Sequence, residues 1–331
     1  MVKIDIPSYE PQILHYVHHQ SPNPNAIPLI VVHGWPGSFL EARKIIDLLT
    51  NPPSEKDQAF HVIVPSIPGY GPGPAPQKSG FGPVKAAQAF KILMVDVLGY
   101  KSFATQGGDW GAIITRSMAM QYPQHVKACH TNFVPCGPPP FYKAPLTMAR
   151  LILHSWLYTA REKQGLEAMQ HFMKEQSGYL KQQSTRPQSL GFALGDSPIG
   201  LLGWLVEKYH EGTDVKTYTM PDDEIITFTM MHWISGATPG LRFYKAADAE
   251  QGPANAVNTY KSYVATPLGL SFFPREVVVP PKDWVQAIAN VQFYKEHGKG
   301  GHFPSVECPE LLVGDLREWF GSEVVRTAMK S

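Results

Sequence analysis

The feature that most constrains this chain is a rhythm. Short apolar runs stop abruptly in glycine- and proline-rich turns, and each is followed by a stretch with apolar residues three and four apart. Pro28-Leu-Ile-Val-Val32 runs into His33-Gly-Trp-Pro-Gly37, Phe60 to Val64 stops at Pro65, and Phe103-Ala-Thr leads to Gly107. Uninterrupted apolar runs of this length mark strands covered on both faces, as in a parallel sheet. Between them Phe39 to Leu49 and Val84 to Leu98 carry helical spacing, and Trp110 to Tyr122 reads as a further helix, stopped by Pro123. Val126 to Phe133 reads as another strand. The rhythm breaks at Cys136-Gly-Pro-Pro-Pro-Phe141, after which Leu146 to Ala160, Gly165 to Gln176, Gly200 to Tyr209 and Glu224 to Ile234 read as helices. Alternation returns with strands at Pro267 to Phe273 and Val291 to Tyr294, a short helix at Trp284 to Ala289 and a closing helix at Pro309 to Phe320. At about 150 residues per domain, 331 residues allow two domains or one interrupted by an insertion. The pattern predicts the second: an α/β fold with a mostly parallel central sheet and helices on both faces, its core in residues 1–137 and 265–331, and an inserted helical cap in 138–264.

Reactive side chains fall in the turns of the core. Gly107-Gly-Asp109-Trp-Gly111 joins a strand to a helix, with small residues on both sides of Asp109. A side chain projecting from so sharp a turn needs glycines beside it, which is the geometry of a nucleophile elbow with Asp in place of the commoner Ser. An Asp at a helix start is equally an ordinary N-cap, so the rest of the constellation has to decide. His33-Gly34-Trp35-Pro36 follows the first core strand, where such a fold places the loop that lends a backbone N–H to an oxyanion hole. His302, in Gly298-Lys-Gly-Gly-His302, follows the last strand and precedes the last helix, the usual seat of a catalytic histidine; position, not composition, singles it out among 13 histidines. Glu276, in Phe273-Pro-Arg-Glu276, lies after the preceding strand and is favoured over Asp283 as the acid that orients the imidazole. The order Asp109, Glu276, His302 is nucleophile, acid, base, as in the α/β-hydrolase fold.

Other function classes lose ground on composition. Lys plus Arg number 29 against 28 Asp plus Glu, a net charge of +1 without basic or acidic blocks, so nucleic acid and anionic lipid have no electrostatic footprint. The three cysteines, Cys129, Cys136 and Cys308, form neither a CxxC pair nor a disulfide framework. The first ten residues carry no apolar signal segment, and no run approaches 18 apolar residues. The expectation is a soluble, cytoplasmic protein without a membrane anchor. His18, His19 and His130 lack metal-ligand spacing, and Gly69-Tyr-Gly71-Pro-Gly73 misses the dinucleotide pattern. No cofactor or metal is expected, and a homodimer is left open. The prolines, 31 in all, gather at element boundaries, where a residue without an N–H does least harm.

These residues resemble the epoxide hydrolases of the α/β-hydrolase superfamily, in the branch of the microsomal, insect juvenile-hormone and fungal soluble enzymes. The matching pieces are His33-Gly-Trp-Pro-Gly-Ser38, Pro65-Ser-Ile-Pro-Gly-Tyr-Gly71, Gly107-Gly-Asp-Trp-Gly111, Asp196-Ser-Pro-Ile-Gly200, Arg242-Phe-Tyr-Lys245, Phe273-Pro-Arg-Glu276 and Gly300-Gly-His-Phe303, in order along nearly the whole chain. The resemblance implies Asp109 as nucleophile, His302 as base and Glu276 as its acid partner. It also implies Tyr244 and Tyr179 as cap tyrosines that bind the epoxide oxygen, and the backbone N–H groups of Trp35 and Trp110 as the oxyanion hole, supported by His33, Gly34 and Pro36. The implied substrates are a small apolar epoxide and water, with a covalent ester on Asp109 and a vicinal diol as product, in detoxification or secondary metabolism. Trp156, Trp204, Met230, Met231 and Trp233 are expected to pack the cap and the pocket wall. The long N-terminal segment usual in this branch is expected to be missing. Two rivals remain at this level. A haloalkane dehalogenase would share the Asp nucleophile and could use the indoles of Trp35 and Trp110 for a halide, but has no need of paired tyrosines. A catalytically silent hydrolase-fold protein would bind a ligand or partner, against the retention of every expected catalytic residue.

Overall fold

Strand β4 (Ile27–Val32) shows why the apolar runs carry no polar side. Successive side chains alternate across a strand: Ile27, Leu29 and Val31 join one buried cluster, while Ile30 and Val32 join the cluster on the opposite face. The structure, a computed structural model, describes all residues except Phe141, Lys143, Gln251, Pro253, Val257 and Ser331. Phe141, the last residue of the proline-rich break, therefore lies outside the described residues.

Before β4 come β1 (Val2–Ile4), β2 (Gln12–Leu14) and β3 (Tyr16–His19); after it come β5 (Phe60–Pro65), β6 (Phe103–Gly107), β7 (Val126–Thr131), β8 (Val264–Phe272) and β9 (Ala289–Glu296). Seven of these form one sheet in the order β3-β5-β4-β6-β7-β8-β9. β3 pairs antiparallel with β5, and every other pairing is parallel. The chain runs from β4 to β5 on one side and then returns to β6 on the other. This order reversal opens a crevice at the carboxyl ends of β4 and β6, where ligands bind in open α/β sheets. β1 and β2 pair with each other, and the sequence pattern marked none of the first three strands. With three or four residues each they are too short to show a period; burial of Ile4 and Leu14 holds the first two in place.

The helix expected over Phe39 to Leu49 is two pieces. A 3-10 turn spans Phe39–Lys44 and α1 spans Ile46–Thr50. The Ser38 hydroxyl accepts from the Leu40 N–H, and the Ile45 N–H closes a tight i→i−3 bond on Ala42 before α1 starts. α2 (Pro83–Ile92) opens with a proline where a missing N–H costs nothing, and passes into a π turn over Leu93–Val97. α3 (Asp109–Gln121) follows β6 directly.

Between β7 and β8 the described elements are helices apart from a short 3-10 turn: α4 (Pro145–Ile152), α5 (His154–Leu157), α6 (Ala160–His171), α7 (Gly178–Thr185), α8 (Pro187–Asp196), α9 (Pro198–Gly212), α10 (Asp222–Ser235) and α11 (Ala237–Ala249). The helix expected to run unbroken from Leu146 to Ala160 instead ends before Thr159. There a capping box forms, in which the Thr159 hydroxyl accepts from the Glu162 N–H and the Glu162 carboxylate accepts from the Thr159 N–H. Trp156, expected to pack, is 87% exposed on the single turn of α5. The sequence reading assigned no helix at α7, α8 or α11, although Pro187 in the first turn of α8 is a helix-start signal. After β8 come α12 (Lys282–Gln286), α13 (Pro304–Glu307), α14 (Pro309–Phe320) and α15 (Glu323–Lys330). No single helix among the described residues is long and apolar enough to cross a membrane.

Candidate active site

Asp109 stands at the junction of β6 and α3 with φ at +48°, a left-handed conformation that side chains other than glycine rarely adopt. Its neighbours explain how the turn closes. A Cβ on Gly111 would lie 1.9 Å from the Val32 carbonyl oxygen, and one on Gly107 would lie 2.4 Å from the Gly111 backbone. Only bare backbone lets α3 start so close to β4 and β6. Gly34 serves the same purpose from the facing loop, since a Cβ there would meet the Asp109 side chain at 2.3 Å.

The carboxylate is held from two sides. Oδ1 accepts from the Trp35 N–H at 2.7 Å, and Oδ2 lies 3.5 Å from His302 Nε2. The second nitrogen of that ring, Nδ1, meets Glu276 Oε1 at 2.5 Å. Glu276 is fully enclosed, and its carboxylate also accepts from the Val277 N–H at 2.8 Å and from Asn132 Nδ2 at 3.1 Å. Burial acts to depress His302, but Glu276 and Asp109 outweigh it and hold the imidazole well above its usual range. Asp283, the rival acid, instead pairs with Arg150 at 3.4 Å.

The loop from His33 to Gly37 is locked from beneath and above. The Ile67 N–H donates to His33 Nε2 at 3.1 Å, so Nδ1 carries the proton and donates to the Gly34 carbonyl at 3.0 Å. Burial pushes His33 down to about 4, which keeps it neutral. The Pro36 carbonyl accepts from the Tyr209 hydroxyl at 2.8 Å and from His232 Nε2 at 2.5 Å, both on helices between β7 and β8. Trp110 is in the first turn of α3, where backbone N–H groups have no partner within the helix.

Tyr179 on α7 and Tyr244 on α11 come over the same carboxylate from elements the sequence reading did not assign. Their rings lie 6.1 Å apart; Tyr179 stacks on Trp35 at 5.2 Å, and Tyr244 stands edge-on to Trp35 at 5.7 Å and to Trp110 at 4.8 Å. Burial above all, with the negative charge of Asp109 adding to it, raises both hydroxyls above the ordinary phenol range, so both stay protonated. Asn132 was not singled out from sequence. Its signal is a lone amide after the apolar run of β7, and it donates to Glu276 Oε2 and, at 3.4 Å, to the His302 carbonyl. All five expected catalytic side chains and the Trp35 loop are thus gathered at the crevice. Among the described residues no group of three or more His, Cys, Asp or Glu could hold a metal ion.

Known proteins share this arrangement of chain. Residues 27–224 match the alpha/beta hydrolase fold, and residues 1–42 match the epoxide hydrolase N terminus. The second match places a stretch of that family's N-terminal region in the first 42 residues of this chain. Epoxide hydrolase 1 of Sus scrofa is 38% identical over 93% of this chain and 72% of its own length. The structure of the Aspergillus niger epoxide hydrolase superposes with a TM-score of 0.81 at 30% identity, covering 96% of this chain and 77% of the other. The juvenile hormone epoxide hydrolase of Bombyx mori superposes with a TM-score of 0.85 at 25% identity, covering 98% and 78%. With Asp109 in a tight turn after β6, Glu276 and His302 beside it, and this likeness along nearly the whole chain, the protein belongs to the epoxide hydrolase family, hydrolases that act on epoxides with water.

Proposed function

We propose that Asp109 opens an apolar epoxide by direct attack and that His302 then hydrolyses the resulting ester to a vicinal diol. The observation that carries this reading is one carboxylate, held by the Trp35 N–H and His302, beside two phenols that remain protonated. A carboxylate needs no base to attack an sp³ carbon, and the bond it forms is an alkyl ester. As the ring C–O bond breaks, its electrons go to the epoxide oxygen, which takes a proton from Tyr179 or Tyr244 and leaves a tyrosinate.

Alkylation also changes the histidine. Asp109 loses its charge on becoming an ester, and one of the two carboxylates that hold His302 protonated is gone. The imidazole releases its proton to solvent, to regain it once the Asp109 carboxylate is restored, and so becomes able to act as base. It takes a proton from water as the water oxygen bonds Asp109 Cγ, and the Trp35 N–H, with that of Trp110, receives the oxyanion. Collapse breaks the bond between Cγ and the alkyl oxygen, which takes the proton from His302. Asp109 keeps the water oxygen, and the remaining proton returns to the tyrosinate. The helices between β7 and β8 act as the cap, since both phenols come from them, with 138–264 as its span and 1–137 and 265–331 as the core. The paired tyrosines favour an epoxide over a haloalkane, whose leaving halide needs no proton.

The test is His302→Gln, which keeps the nucleophile and removes the base. Incubated with an aryl epoxide, this protein is expected to gain the full mass of the epoxide, oxygen included, on intact-mass measurement. A halide-releasing alkyl adduct from a haloalkane, with none from epoxides, would move the assignment to dehalogenation. Folded protein without an adduct from either would favour a silent binding protein.

A further inference from the structure

The cavity behind the nucleophile contains a carboxyl that the chemistry above does not use. Glu41, in the 3-10 turn Phe39–Lys44, lines this cavity together with His33, Gln106, Asp109, Asn132 and His302. Its volume is about 20 Å3, room for a single water among polar partners. Neither Tyr179 nor Tyr244 borders it. The carboxyl is turned inward against Gly37, where a Cβ would stand 1.5 Å from Glu41 Oε1. Gly37 therefore supplies the space that the acid fills.

The titratable groups that face this carboxyl come from several elements: Asp109 at the start of α3, His302 before α13, His33 after β4, and Tyr209 on α9. Burial, with Asp109 adding to it against His302 and the Gly34 N–H, pushes Glu41 up to about 8. At neutral pH it is an uncharged acid, with one O–H to donate and a carbonyl oxygen to accept.

We propose that Glu41 is a positioning residue that holds the hydrolytic water in this cavity, between His302 and the carbonyl carbon of the Asp109 ester. The inference rests on the covalent reading above and deepens its second step. Asp109 and His302 both border the cavity, so a water in it reaches the atom it must attack and the base that must deprotonate it. A third polar group fixes the orientation that two alone leave free. Glu41 neither gains nor loses a proton in the cycle.

The experiment is single-turnover mixing with a neutral aryl epoxide, in which quenched samples are weighed intact so that ester formation and ester breakdown are read separately. In Glu41→Leu, ester formation is expected to persist while breakdown slows by about tenfold to a hundredfold, the usual cost of a misplaced reactant. Glu41→Gln, neutral at every pH and still able to donate and accept, is expected to restore breakdown to within about threefold of the natural protein. Breakdown in the natural protein should fall as rising pH ionises Glu41, and the Gln variant should lack that fall. Should Glu41→Leu fail to fold, Gly37→Ala displaces the same carboxyl and should slow the same step. Breakdown at the natural rate in Glu41→Leu or Gly37→Ala would overturn the proposal, as would a loss in Glu41→Gln equal to that in Glu41→Leu. An absence of ester in every variant, His302→Gln included, would overturn the covalent reading and this inference with it.

Discussion

Asp109 keeps a left-handed backbone only because glycines around it let two strands and a helix approach within atomic contact. Gly111→Ala would push a methyl into the Val32 carbonyl, so it should destabilise the fold by about 1–3 kcal/mol or more, read as a lower urea midpoint. The tyrosines make a different demand. Tyr244→Phe keeps the ring against Trp110 and removes the proton, so ester formation should slow by about a hundredfold or more while the melting temperature moves little. A formation rate unchanged in this variant would remove Tyr244 from the proton-donor role. Asp109, His302 and Glu276 were legible because each stands in a turn after a strand. Asn132 and Glu41 were not, because a single amide or carboxyl in a chain of this size is indistinguishable from a solvated one until its surroundings are known.

Among elements, the loop that carries His302 is fastened to the end of α9. The His302 N–H donates to the Gly212 carbonyl at 2.7 Å, and the Gly300 N–H donates to Asp214 Oδ2 at 3.1 Å. Glu307, at the end of α13, completes the tie by accepting from the Asp214 N–H at 2.8 Å and the Phe303 N–H at 2.9 Å. Burial raises Glu307 from 4.5 to about 7 despite these bonds. The folded protein therefore holds this proton more tightly than the unfolded chain. The associated stability is complete below about pH 4.5 and is lost as pH rises through about 7. Glu307→Gln should flatten that part of the melting-temperature profile between pH 4.5 and 7; an unchanged slope would mean that other groups set it. The strands β4 to β9 and α3 were readable because their signals are local. α7, α8 and α11 were not assigned, and motif likeness alone pointed to the two tyrosines they carry.

At the scale of the whole molecule, the sheet with its loops and the helices between β7 and β8 meet through polar contacts near the site. Glu224 on α10 is buried and pairs with Arg43 at 2.9 Å and Lys44 at 3.1 Å. The Ser235 hydroxyl donates to the Gly71 carbonyl at 2.7 Å, and the Tyr70 hydroxyl donates to the Gly240 carbonyl at 3.0 Å. These bonds place those helices against the loops after β4 and β5, so Tyr179, Tyr244 and Asp109 are held in one frame. The surface has little net charge, +1 in all. Capture of a neutral epoxide should need no electrostatic steering, and kcat/KM should change by less than about twofold between roughly 0.05 and 0.5 M salt. A steep salt dependence would point to a charged substrate.

The sequence by itself determined the alternation of strands and helices, the turns in which Asp109, Glu276 and His302 stand, and their order along the chain. Burial on both faces of a strand and the steric needs of a tight turn are written in neighbouring residues. Only the tertiary structure decided that Glu276 meets His302 while Asp283 meets Arg150, that Asn132 bonds Glu276, and that Glu41 faces the same cavity as Asp109. Those contacts join residues far apart in the chain, and which distant partners meet depends on how the sheet and the helices pack.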